Sequence, residues 1–130
     1  MIVVDASVLV TALGDDGPDG DRARTRLRGE LLAAPYLIDL EVGSVWRRLV
    51  AAGTMDLRRA GLALVDLHEL PLRRARHIDL LPRCWELRSD LSIYDAAYVV
   101  LAEVLETTLV TADARIKKAP GPRCNIEVLR

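Results

Sequence analysis

The opening residues Met-Ile-Val-Val-Asp constrain the fold of this chain more than any other segment. Ile2, Val3 and Val4 are β-branched and apolar with no polar alternation, which is how a strand covered on both faces reads. Such a strand belongs to a parallel sheet with helices above and below. The remaining patterning predicts those partners. Short helices are expected over Ser7–Leu13 and Asp21–Leu32, and an amphipathic one over Tyr36–Ala52, started by Pro35 and closed by Gly53. Further helices are expected over Asp56–Leu67, Asp79–Arg88 and Ser92–Leu105, with a helical turn at Ala114–Lys118. Strands are expected at Glu69–Leu72, Leu109–Thr111 and Ile126–Leu129. Strands alternating with helices specify a single α/β domain over residues 1–130, three layers deep, with a central parallel sheet.

Four acids interrupt this apolar framework. Asp5 ends the first strand, Asp113 follows the Leu109–Thr111 strand, Asp95 lies in the first turn of SIYDAAYVVLAEVL, and Glu41 sits on the apolar stripe of YLIDLEVGSVWRRLV. In open α/β sheets, ligands bind beyond the carboxyl ends of the strands, where Asp5 and Asp113 are expected. Each acid also has a purely structural reading. Asp5 and Asp113 can cap the helices that follow them, and Ser92 with Asp95 resembles a capping box. Glu41 can pair with Arg48, seven residues on along the same helix face, whereas Asp39 faces elsewhere and is expected to be solvated.

Taken together, the four favour a cation. Carboxylates drawn beside a core repel one another and lose hydration, and a shared divalent ion relieves both costs. Oxygen-only ligands suit Mg²⁺ or Mn²⁺, and such an ion equips a site for phosphodiester hydrolysis. Ser7 and Thr111, two residues from Asp5 and Asp113, are candidates to hold water or a phosphate oxygen; local turn bonding is the competing role.

Other classes lose support. A net charge of -1 provides no global basic field, although the cations are nearly all arginine, with only Lys117 and Lys118 as lysines. Cys84 and Cys124 lack zinc-ligand spacing and read as reduced structural thiols, and His68 and His77 read as structural or surface residues. The N-terminus carries no basic segment before its apolar run, and no run reaches membrane-spanning length; a cytoplasmic protein with no membrane association is expected. A phosphoryl-aspartate protein of the phosphatase type needs a second acid two residues after Asp5, where Ser7 stands; the receiver type lacks its late lysine. A non-catalytic acidic pocket that binds a partner's arginine remains an alternative.

The stretches MIVVDASVLV, APYLIDLEVGSVWRRLVAAG, LSIYDAAYVVLAE and LVTADARI, in this order and spacing, resemble PIN-domain proteins, specifically the VapC-type toxin ribonucleases of toxin–antitoxin operons. The resemblance spans essentially the whole chain. It implies an α/β/α fold, an acidic pocket for Mg²⁺ or Mn²⁺, and endonucleolytic cleavage of structured RNA such as tRNA or rRNA. It further implies a homodimer and neutralisation by a cognate VapB-type antitoxin; a housekeeping RNA-processing nuclease is the alternative within the same family. The family's acids carry over onto Asp5, Glu41, Asp95 and Asp113. Asp5 and Asp95 become the principal metal ligands, Asp113 completes the shell, and Glu41 orients or deprotonates water, with the last two roles exchangeable. Ser7 takes the small hydroxyl position. Some members carry a further acid or amide just after the last aspartate; Arg115, Ile116 and Lys117 occupy that stretch here, which points to one firmly held ion. Arg115, Lys117 and Lys118 are the expected RNA contacts, with Arg22, Arg24, Arg26 and Arg28 further out.

Overall fold

The structure, a computed structural model, describes all 130 residues. Five strands form one sheet: β1 (Ile2–Val4), β2 (Leu32–Pro35), β3 (Leu72–Ala75), β4 (Thr108–Thr111) and β5 (Ile126–Val128). Their order is β3-β2-β1-β4-β5, and every pairing is parallel. The helices are α1 (Ala6–Gly14), α2 (Pro18–Leu27), α3 (Ile38–Ala51), α4 (Leu57–Glu69), α5 (Leu81–Glu86), α6 (Ile93–Val104) and α7 (Ala114–Lys118). One helical layer has α1 packed on α2, α3 and α4; in the other, α5 and α6 pack together and α6 lies on β1, β2 and β4. This is the three-layer α/β/α domain that the alternation implies. No helix is long and apolar enough to cross a membrane.

The chain builds the sheet outward from β1 in one direction through β2 and β3, then crosses back to place β4 and β5 on the other side. The order therefore reverses at β1 and β4, the kind of switch point where α/β sheets form crevices. Residue pairing of Val4 with Val110 sets the ends of these two strands level. The core runs through Val3, Val4, Leu109 and Val110 of the sheet, with Val8, Leu9, Ile38, Val42 and Trp46 on one side and Val99 and Val100 in α6.

Several boundaries differ from the sequence expectation, and β2 was not expected at all. Leu32-Ala33-Ala34-Pro35 has neither β-branched residues nor alternation, so its propensity is weak; burial between β1 and β3 overrides it. Leu32 thus leaves the expected helix, which runs instead from Pro18, a proline at the first helical turn, to Leu27. Pro35 ends a strand rather than opening a helix. The expected Glu69–Leu72 strand slides to Leu72–Ala75, and Asp79–Arg88 divides into a 3-10 turn at Ile78–Leu80 followed by α5. Asp39 is not free in solvent: Arg74 Nε and Nη2 donate to its two oxygens at 2.6 and 2.9 Å, tying α3 to the edge strand. Most of the α2 arginines are likewise structural. Arg24 donates to the carbonyls of Ala12 and Asp15, and Arg26 joins Glu30 and Glu127. Both cysteines are free thiols, Cys84 being buried.

Two glycines separate backbone need from packing need. A Cβ on Gly20 would stand 1.8 Å from the Asp15 carbonyl oxygen, so α2 reaches α1 only because that position has no side chain. Gly61, inside α4, meets nothing within 4 Å. Thermal melts of Gly20→Ala are predicted to show a loss of roughly 1–3 kcal/mol from overpacking. Gly61→Ala is predicted to gain about 1 kcal/mol from helix propensity. Equal shifts in the two variants would contradict this account of the α1–α2 contact.

Candidate active site

All four acids arrive at the start of a helix. Asp5 caps α1, Glu41 and Asp95 lie in the first turns of α3 and α6, and Asp113 caps α7. The parallel sheet brings three of them to one edge, where β1, β2 and β4 each lead into a helix, α1, α3 and α7; α6 follows α5 and runs into β4. The partial positive charge of a helix N-terminus favours a carboxylate by roughly 0.3–1 kcal/mol, which offsets part of the repulsion among them. The capping and functional readings are therefore compatible. The acids line one open pocket of about 260 Å³ together with Ser7, Ser44, Arg48 and Tyr98.

Asp5 is the most buried of the four, 5% exposed. Its Oδ1 accepts from the Ser7 hydroxyl at 2.5 Å and from the Val8 backbone N–H at 3.3 Å, and its Oδ2 accepts from the Thr111 hydroxyl. The two hydroxyls also accept: Ser7 from the Ala112 backbone N–H at 3.0 Å, Thr111 from that of Asp113 at 3.0 Å. Ser7 and Thr111 thus hold Asp5 and join the ends of β1 and β4. Burial raises the Asp5 carboxyl from its ordinary 3.8 to about 6, against the lowering pull of those hydrogen bonds and with a smaller push from the Asp95 charge. No lysine or arginine side chain pairs with it.

The other acids differ in environment. Glu41 is pushed up by burial and by Asp95, and restrained by the Tyr98 hydroxyl, which donates to its Oε1 at 2.5 Å. Asp95 is raised chiefly by burial, and the Asp113 charge adds to the rise. Asp113 goes the other way, held below the usual carboxylate range by hydrogen bonds from Arg115. Arg48 does not pair with Glu41 as the sequence suggested. Seven residues span about 10.5 Å along a helix axis, and Tyr98 reaches the carboxylate from α6, across the pocket. Arg48 instead donates to the Ser44 hydroxyl at 3.5 Å. Lys117 and Lys118 are exposed on α7, while Arg115 turns onto Asp113.

Tyr98 and Ser44 were missed by sequence reasoning. A signal existed: each lies three residues after a site acid, Asp95 or Glu41, on the same helical face, and a buried tyrosine hydroxyl needs a partner. As folded, the acids do not close into a ready-made ligand shell, because no three acidic, histidine or cysteine side chains converge on one point. Each is satisfied separately, which is how like charges settle. The donor set nonetheless suits a hard divalent cation: it is oxygen only, and its innermost member is a buried carboxylate with no cationic partner.

Burial of Asp5 carries a stability consequence with a definite sign. The folded protein binds the Asp5 proton more tightly than the unfolded chain, so its contribution to stability falls as pH rises from 3.8 to about 6. The loss is on the order of 3 kcal/mol. Urea denaturation of metal-free protein from pH 4 to pH 7.5 should show Asp5→Asn gaining stability relative to wild type as pH rises. A difference independent of pH would contradict the burial argument.

Comparison with known proteins places this geometry. Residues 2–122 match the family described as PIN domain. A VapC ribonuclease of Mycobacterium bovis is 40% identical over 99% of this chain and 98% of its own length. Ribonuclease VapC1 of Mycobacterium tuberculosis is 38% identical over 98% and 97%. Among solved structures, PAE2754 of Pyrobaculum aerophilum superposes with a TM-score of 0.69 at 26% identity, covering 98% of this chain and 83% of that one. VapBC2 of Rickettsia felis shares the fold over the full length of both chains, with a TM-score of 0.70 at 15% identity. The chain belongs to the PIN-domain family, among relatives named as VapC ribonucleases.

Proposed function

We propose that this protein is the toxin of a toxin–antitoxin pair, an endoribonuclease that hydrolyses phosphodiester bonds of structured RNA with a divalent ion, Mg²⁺ or Mn²⁺. The observation that carries this reading is Asp5: a buried carboxylate at the switch point, with no lysine or arginine against it, facing a pocket shared with three more acids. The names of the 35–40% identical relatives support RNA as the substrate class.

Asp5 and Asp95 are assigned to hold the ion, with Asp113 joining them. When bound, the ion supplies positive charge to the phosphate and acidifies water. Ser7 and Thr111 fix the Asp5 oxygens so that both lone-pair directions stay defined. Glu41, raised by burial and oriented by Tyr98, is suited to take the proton of the attacking water. Water oxygen bonds to phosphorus, the bond to the leaving ribose oxygen breaks, and that oxygen takes a proton from solvent. Arg48 at the rim and Lys117 and Lys118 on α7 are assigned to neighbouring phosphates. A VapB-type antitoxin is the proposed inhibitor. Its basic side chains would compete for the same acids, and the Rickettsia neighbour was solved as a VapBC protein. We further assign a cytoplasmic homodimer.

With total RNA as substrate and Mg²⁺ present, wild-type protein is expected to release discrete fragments from tRNA or rRNA, and Asp5→Asn or Asp95→Asn to release none while melting cooperatively. Glu41→Gln should slow cleavage by about 10²–10⁴-fold. Tyr98→Phe should cost roughly 10–100-fold, as expected for loss of an orienting hydrogen bond. Full cleavage by Asp5→Asn would sink the assignment.

A further inference from the structure

Among the four pocket acids, only Asp113 makes a salt bridge, and its partner is Arg115. Arg115 Nε lies 3.0 and 3.2 Å from the two Asp113 oxygens, Nη2 donates to Oδ2 at 2.7 Å, and the Arg115 backbone N–H donates to Oδ1 at 2.9 Å. Asp5, Glu41 and Asp95 have only hydroxyl or backbone partners. A carboxylate whose lone pairs face a planar guanidinium cannot ligate an ion with those same lone pairs. At Asp113, the fork and a metal are alternatives.

The pair is also built to come apart. The Arg115 side chain is 87% exposed whereas Asp113 is 26% exposed, so the guanidinium can leave without disturbing packing. An exposed ion pair of this kind shifts an equilibrium by no more than about fivefold. Arg115 Nη1 makes no hydrogen bond within the chain. An RNA phosphate offers the guanidinium the same bidentate geometry as a carboxylate, with stronger charge assistance than water gives.

We infer that Arg115 is a latch on Asp113: it withholds the fourth acid from the metal until a substrate phosphate draws the guanidinium away. This inference rests on the metal-dependent reading above and adds a coupling to it. RNA and metal then strengthen each other's binding, because both oppose the same ion pair, and the coupling is reciprocal.

A double-mutant cycle read by Mn²⁺ paramagnetic resonance, without RNA, tests the latch directly. Full-length wild type, Arg115→Gln, Asp113→Asn and the double variant are titrated with Mn²⁺ alone. Arg115→Gln is expected to tighten Mn²⁺ binding by about three- to fivefold over wild type. In the Asp113→Asn background, the same change should give less than about twofold. An unchanged affinity in Arg115→Gln overturns the latch, as does an equal effect in both backgrounds, which would reduce Arg115 to a distant charge. If wild type binds no Mn²⁺ at all, the metal reading itself falls, and the latch with it.

Discussion

Carboxylates at helix N-termini are the constraint on which this molecule is organised. A parallel sheet sends β1, β2 and β4 into helices at the same edge, and an acid caps or sits in the first turn of each of these, α1, α3 and α7, as one does in α6, which follows α5. Asp5 and Asp113 cap their helices directly, and the four acids together create a field that no single cap would. The fold tolerates the cluster because helix dipoles and hydroxyl donors offset part of the repulsion. The remaining imbalance is concentrated on Asp5, which is buried and raised to about 6.

That imbalance grades across the pocket. Asp5, Glu41 and Asp95 are all pushed toward protonation by burial, whereas Asp113 is held ionised by Arg115. Four residues of similar chemistry therefore occupy distinct roles through environment alone. The innermost one is anchored by Ser7 and Thr111 and cannot move without breaking those hydrogen bonds. The outermost one is bound to an exposed arginine and can be released. A fixed inner carboxylate beside a more exposed outer one fits the proposed site, which would hold an ion and also accept a bulky polymer.

The sequence made the inner half of this arrangement legible. Asp5 and Asp113 follow β-branched runs, and Ser92 with Asp95 announces a helix start, so local patterning locates three of the four acids. Glu41 stood out through its helical stripe. What stayed hidden depends on contacts between distant residues. The Tyr98–Glu41 bond spans 57 positions, and the Asp39–Arg74 pair spans 35. Neither partner signals the other along the chain, which is why Arg48 and solvent were the expected partners. β2 was illegible for another reason: Leu-Ala-Ala-Pro becomes a strand only through burial between two neighbours. Ser7 and Thr111 were found as site residues, but their role as braces on Asp5 required the register of β1 against β4.

On the proposed reading, a divalent ion would replace a proton on Asp5, a buried carboxylate with no cationic side chain against it. Titration calorimetry of Mg²⁺ binding, repeated in buffers of different ionisation enthalpy, counts the protons released. At pH 6, where Asp5 is about half protonated, binding should release about half a proton per ion, and the release should fade toward pH 8, where Asp5 is already ionised. Tight Mg²⁺ binding at pH 6 with the same heat in every buffer would contradict the account.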